Sequence, residues 1–257
     1  MRDRIHAAVW TGLALLLSIG LAGAAEVRVL SVGAVQVALK NLAADFSKET
    51  GHQVTFSIAS PVVVEQKLAA GEIHDVVILS APAMDDMDKA GGVQAGSRMP
   101  LARVGIGVSV REGAQVPDIS TPEAFKRTLL AARTIVHSDP TLPRQSGALV
   151  AGILSKAGIL DEIRAKARIA GWSPGNEMVA KGEAEIGLFN ISEIPRDKGV
   201  TFVGPVPAPL QLYNNYEAAV MARAAAPEPA LALIKLLASA GSRDKWQAAG
   251  LEALPAR

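Results

Sequence analysis

Ser60-Pro61, Ser80-Ala81-Pro82 and Ser146-Gly147 share one chemical possibility. Each places a hydroxyl at a point where a helix would begin. The opening N–H groups of a helix and its partial positive charge suit an anion, with no metal and no fixed cation needed. Arg144 stands two residues before Ser146 in the loop after Asp139. A guanidinium there could clamp a carboxylate through two parallel hydrogen bonds, or it could be a solvated loop charge. Asn190 closes an apolar run and could read a ligand or close a turn. His137-Ser138-Asp139 invites a triad, but adjacency in sequence does not set a base on a nucleophile, and no Gly-x-Ser-x-Gly elbow accompanies it.

Other chemistries are excluded more firmly. The chain has no cysteine, which removes thiolate zinc sites and a thiol nucleophile. Gly105-Ile106-Gly107 lacks the third glycine of a dinucleotide fingerprint, and there is no phosphate-binding P-loop, His-Glu-x-x-His or EF-hand spacing. No cofactor and no metal ligation are therefore expected. Aromatic residues are 4% of the chain, too few to favour a sugar site of stacked rings. Arg2, Arg4 and Asp3 hold the only charges of segment 1–25, so the rest of the chain is formally neutral, which argues against nucleic acid as a partner.

The elements that would position these residues alternate regularly. Val27–Val32 reads as a strand, followed by Gly33-Ala34-Val35 and a helical pattern up to Thr50-Gly51. Val54–Ile58 is a second strand, and Ser60-Pro61 opens a helix that ends near Gly71. Val76–Leu79 is an apolar run short enough for a buried parallel strand, and Ser80 opens the next helix, up to Gly91-Gly92. Leu101–Val110, Thr134–His137, Ile186–Phe189, Val200–Val203 and Tyr216–Met221 read as further strands. Helices are expected from Thr121, over Ala148–Ala157, Pro229–Leu237 and Asp244–Ala249, with a loop at Ser138–Gly147. This rhythm is that of an α/β fold, in which ligands sit beyond the carboxyl ends of the strands.

At the N-terminus, Arg2 and Arg4 precede an apolar run from Ala7 to Leu21 that closes on Ala22-Gly23-Ala24-Ala25. A basic flank, a short apolar core and small residues at the exit make a secretory signal, cleaved after Ala24 or Ala25. Residues 1–25 are thus read as a signal peptide and the protein as periplasmic.

With the pattern laid out, the chain resembles the periplasmic molybdate-binding proteins of ABC importers, a branch of the type II solute-binding proteins. The resemblance rests on Val32–Asn41 with Leu42–Gly51, on Ala59-Ser60 with Val64–Gly71, on Asp75–Ala81, and on Lys181–Gly187. It implies a two-lobed periplasmic-binding-protein type II fold, each lobe a mostly parallel sheet flanked by helices, with hinge crossings near Val104–Val108 and Pro205–Tyr216. Residues 26–104 and 205–257 would form the first lobe and 105–204 the second. In that family, hydroxyls and backbone N–H groups hold a tetrahedral oxyanion. Ser60 matches the second-turn serine, whereas the first turn reads Gly33-Ala34-Val35 and lacks the usual hydroxyl. Ser146, with Gly147 beside it, falls at a backbone contact of the second lobe. Asn190 falls where many members have a tyrosine, and Trp172 lies near another backbone contact. The implied partners are a small anion and a membrane permease, with the chain itself a monomer. A closer likeness, over Glu123–Leu130, Ser138-Asp139, Ser146-Gly147, Leu188–Glu193 and Gly199–Gly204, is to a divergent branch that includes periplasmic aconitate isomerases. Two readings follow: a carrier that captures a molybdate- or tungstate-like oxyanion for an importer, or a cofactor-free isomerase of a small carboxylate.

Overall fold

The computed structural model describes residues 23–142, 146–170 and 175–255. In chain order the strands are β1 (Glu26–Val32), β2 (Gln53–Ala59), β3 (Val76–Ser80), β4 (Met99–Arg111), β5 (Ile135–Ser138), β6 (Ala167–Ala170), β7 (Ile186–Asn190), β8 (Val200–Pro205), β9 (Tyr213–Val220) and β10 (Glu252–Ala253). The helices are α1 (Gln36–Thr50), α2 (Pro61–Ala69), α3 (Ala81–Lys89), α4 (Pro122–Ala131), α5 (Ser146–Lys156), α6 (Leu160–Arg164), α7 (Asn176–Ala180), α8 (Pro227–Leu237) and α9 (Arg243–Ala248). Single 3-10 turns cover Gly33–Val35, Ile194–Arg196 and Ala240–Ser242.

Local rules account for most of these elements. The helix α1 buries Ala38, Leu39, Leu42, Ala43 and Phe46, one stripe at helical spacing, and ends where Gly51 takes the left-handed conformation. Ser60 caps α2 by accepting from the Val63 N–H at 3.3 Å, with Pro61 in the first turn. Thr121 caps α4 in the same way. All five residues of β3 are buried, as a central strand covered on both faces requires; it runs parallel to β1 and antiparallel to β9.

The strand order is β2-β1-β3-β9-β4-β7-β5-β6, with β8 and β10 also pairing with β4. β1, β2 and β3 are mutually parallel, as are β5, β6 and β7, while β9 and β4 run against their neighbours. The long strand β4 joins the two groups: Met99–Gly105 pairs with β9, and Ile106–Arg111 pairs with β7 and β8. Two lobes result. One core gathers residues from both chain ends, including Leu30, Phe46, Ile78, Leu233 and Trp246, whose indole N–H donates to the Leu237 carbonyl at 2.9 Å. The other gathers Ile106, Phe125, Leu129, Ile153 and Leu188, beside a smaller cluster around Val136, Val179 and Phe189. The chain crosses between the lobes twice, within β4 and between β8 and β9, as expected for the type II arrangement.

Some elements differ from the sequence expectation. The helix α5 begins at Ser146 rather than Ala148, because Gly147 packs its backbone directly against the Ser138 and Asp139 carbonyls. Strand β9 opens at Tyr213, three residues early, because it pairs there with Gly105 of β4. The short elements β6, α6, α7 and β10 carry too few residues for a period to be seen.

Candidate functional site

The carboxyl ends of β1, β2, β5, β6 and β7 converge on one cavity of about 560 Å³ between the lobes. Val32, Gly33, Ala34 and Gln36 line it from the β1–α1 turn, and Ile58, Ala59, Ser60 and Pro61 from the β2–α2 turn. The opposite wall carries Ser138, Asp139, Leu142 and Ser146, then Ile169, Ala170 and Asn190. Glu193 and Tyr216 complete the lining. The opening residues of α1, α2 and α5 thus face one space, so three helix N-termini direct their partial positive charge into it.

The polar groups of this space are individually placed. The Ser138 and Ser146 hydroxyls lie 3.0 Å apart and form a pair. His137 is buried, and its Nδ1 donates to the Ser138 carbonyl at 2.7 Å. Burial lowers the imidazole pKa against the opposing pull of that bond and of Asp139, so the ring is neutral near pH 7 and holds the strand end. Its contact is with a carbonyl rather than a hydroxyl, which gives no triad. Asp139 Oδ1 accepts from the Thr141 hydroxyl and N–H at 2.7 and 2.8 Å, and these bonds hold its carboxyl below the ordinary value. Asn190 ends β7, and its Oδ1 is buried with no hydrogen-bond partner among the described residues. An orphaned amide group beside a cavity is costly unless something in the cavity satisfies it. The Tyr216 phenol is pushed far above its ordinary value, first by burial and then by the charge of Glu193, against a hydrogen bond with Asn214.

Gly33, Ala34, Ser60, Ser146 and Asn190, all read from the sequence as site residues, come together around this cavity. Val35 lies fully buried behind it. Ser80 faces a separate small recess with Tyr216 and Val32 and makes no side-chain cap. Gly147 is required by packing: a Cβ there would stand 2.4 Å from both the Ser138 and Asp139 carbonyl oxygens. Arg144 and Trp172 lie outside the described residues. Sequence reasoning missed Glu193 and Tyr216 as lining groups. Glu193 follows Asn190 by three residues in the turn that leaves β7, and its N–H donates to the Asn190 carbonyl at 2.9 Å. The position of Asn190 at a strand end was the available signal. Tyr216 looked only like a strand residue.

Comparison with known proteins agrees with this architecture. Residues 27–252 match the family model of the bacterial extracellular solute-binding proteins. An aconitate isomerase from a Pseudomonas species is 33% identical over 235 residues, covering 89% of this chain and 88% of that protein. A molybdate-binding protein from Azotobacter vinelandii is 26% identical over 182 residues, 70% of each chain. A solved structure of an Azotobacter vinelandii periplasmic molybdate-binding protein superposes with a TM-score of 0.72 at 22% identity, over 89% of this chain and 99% of that one. The chain belongs to the bacterial extracellular solute-binding protein family.

Proposed function

We propose that this member of the family is an exported, periplasmic protein whose two lobes close on a small carboxylate with more than one carboxyl group, and that it interconvets isomers of that acid without a cofactor. The observation that carries the reading is the cavity itself. A tetrahedral oxyanion displaces on the order of two or three waters of about 30 Å³ each. The space here is about 560 Å³, and its wall combines three helix N-termini with apolar Val32, Ile58 and Leu142. Separate N-termini suit separate carboxyl groups, and apolar patches suit the carbon skeleton between them. The 33% identity to an aconitate isomerase, over most of both chains, supports the same ligand class. Residues 26–104 with 205–257 are taken as one closing unit and 105–204 as the other.

A second reading is kept because a specific observation favours it. The described lining holds no lysine or arginine, so its donors are neutral. Neutral donors also serve a carrier of a fully ionised oxyanion that delivers to an importer permease, and the molybdate-binding relative supports that role. The deciding experiment is thermal shift of the purified chain with molybdate, tungstate, sulfate, phosphate, citrate and the two aconitates, alongside a spectroscopic assay of cis–trans aconitate interconversion. Stabilisation by aconitate with turnover is expected. Stabilisation by molybdate alone at micromolar concentration, with no turnover, would refute the isomerase.

A further inference from the structure

We propose that Ser138 and Ser146 together hold one carboxylate of the ligand on the second-lobe wall of the cleft. This assignment rests on the carboxylate reading and names the groups that fix one end of the acid. Both residues line the cavity, and their hydroxyl oxygens lie 3.0 Å apart. Among the described residues each hydroxyl has only the other as a partner. A serine at a helix start ordinarily spends its side-chain oxygen on a nearby backbone group, as Ser60 does on the Val63 N–H. These two meet each other at the cavity wall instead.

The backbone holds the pair at this distance. Ser138 ends β5 and Ser146 begins α5. Gly147 lets the start of that helix approach the end of that strand, since a Cβ there would stand 2.4 Å from the Ser138 and Asp139 carbonyl oxygens. The Ser138 carbonyl is also held by His137 Nδ1 at 2.7 Å. A second feature of the same wall points to a ligand. Asn190 ends the neighbouring strand β7, is 5% exposed, and has an amide oxygen with no hydrogen-bond partner among the described residues. Buried polar groups are nearly always satisfied, so that amide marks a wall that a bound molecule completes.

Each hydroxyl carries one proton and rotates about its C–O bond. Between themselves the two serines share one of these protons. A carboxylate has two oxygens and no proton, so it can accept from both hydroxyls at once, and two charge-assisted bonds replace one neutral bond. The first turn of α5 adds its partial positive charge at the same point. The N-termini of α1 and α2 open on the facing wall, so a second carboxyl group of the same molecule is held by the other lobe. A monocarboxylate engages one wall only and does not bridge the lobes.

The test is Ser138→Ala, Ser146→Ala and the double variant, each titrated calorimetrically with citrate and with cis-aconitate. A hydrogen bond to a charged group is worth about 10–150-fold in affinity, so each single variant should bind at least about tenfold more weakly, and the double variant more weakly still. Tm without either acid should move little, and turnover of cis-aconitate should show the loss in KM rather than in kcat, a split that a purely structural role would not give. Ser138→Thr keeps a hydroxyl and should bind cis-aconitate within about tenfold of the parent. Ser146→Cys, which keeps the size but donates weakly, serves if the alanine variant does not fold, and should show the same loss. Unchanged affinity for citrate and cis-aconitate in the folded alanine or cysteine variants would overturn the assignment. A parent protein that binds neither acid would instead overturn the carboxylate reading, and this assignment with it.

Discussion

Gln211 offers a sharp test of how the hinge is held. Its side chain is buried between the lobes and substitutes for a neighbouring strand at the point where β4 changes partners. Oε1 accepts from the Ile106 N–H at 2.9 Å and from the Leu212 N–H at 3.1 Å. Nε2 donates to the Ile106 carbonyl at 2.8 Å and to the Val206 carbonyl at 3.3 Å. Gly105 leaves the room: a Cβ there would stand 2.8 Å from the Gln211 amide carbon. Gln211→Leu keeps the volume and removes every polar contact. The fully buried Ile106 N–H then has no acceptor, while the half-buried Leu212 N–H can partly turn to water. Each unsatisfied buried donor costs about 1–3 kcal/mol, so a loss of about 2–4 kcal/mol is expected. For a chain of this size that lowers Tm by about 5–15 °C. Urea unfolding gives the free energy, and amide hydrogen exchange at Ile106 should speed up with it. Gln211→Glu separates orphaned donors from lost packing. It keeps the acceptor but turns an oxygen toward two carbonyls, so the folded state favours the protonated acid and raises its pKa. Stability of that variant should therefore rise as pH falls, opposite to a salt-bridged carboxylate. A loss under about 1 kcal/mol for Gln211→Leu, or no pH dependence for Gln211→Glu, would refute the amide clamp.

Ser60→Ala should cost about 1 kcal/mol through the lost cap of α2, and should also weaken carboxylate binding, seen as a smaller ligand-induced thermal shift; an unchanged shift would confine Ser60 to capping. Gly147→Ala forces a methyl against two backbone carbonyls that cannot rotate away, so about 3 kcal/mol or more should be lost in urea unfolding, together with ligand binding at the adjacent Ser146. Asp75 is fully buried, and burial alone would raise its carboxyl pKa, but the N–H groups of Arg28, Ala225 and Ala226 and the Arg28 guanidinium outweigh that and leave it lowered. Its contribution is complete above the unfolded value of about 3.9 and is lost as pH falls through the lower folded one, so Asp75→Asn should be less stable by about 2–3 kcal/mol at pH 7 and should flatten the acid limb of a stability-versus-pH curve.

These residues also mark where sequence reading succeeds and where it stops. Ser60 is legible because its evidence is local: a capping side chain, a proline next to it, and an apolar strand just before. The same holds for β3, whose short apolar run allows few other structures, and for the β1–α1 turn at Gly33-Ala34. Gln211 and Asp75 carry no such mark. The partner of one is 105 residues back at Ile106, and the other ties Arg28 to the entry of α8, 151 residues ahead at Ala226. Neither pairing has a period or a spacing, since each exists only once the chain has returned from the second lobe. Glu193 and Tyr216 belong to the same class: one leaves β7, the other lies in β9, and the return crossing between β8 and β9 brings both to the cavity. A site assembled across a hinge shows its helix caps in the sequence and hides the groups at the junction.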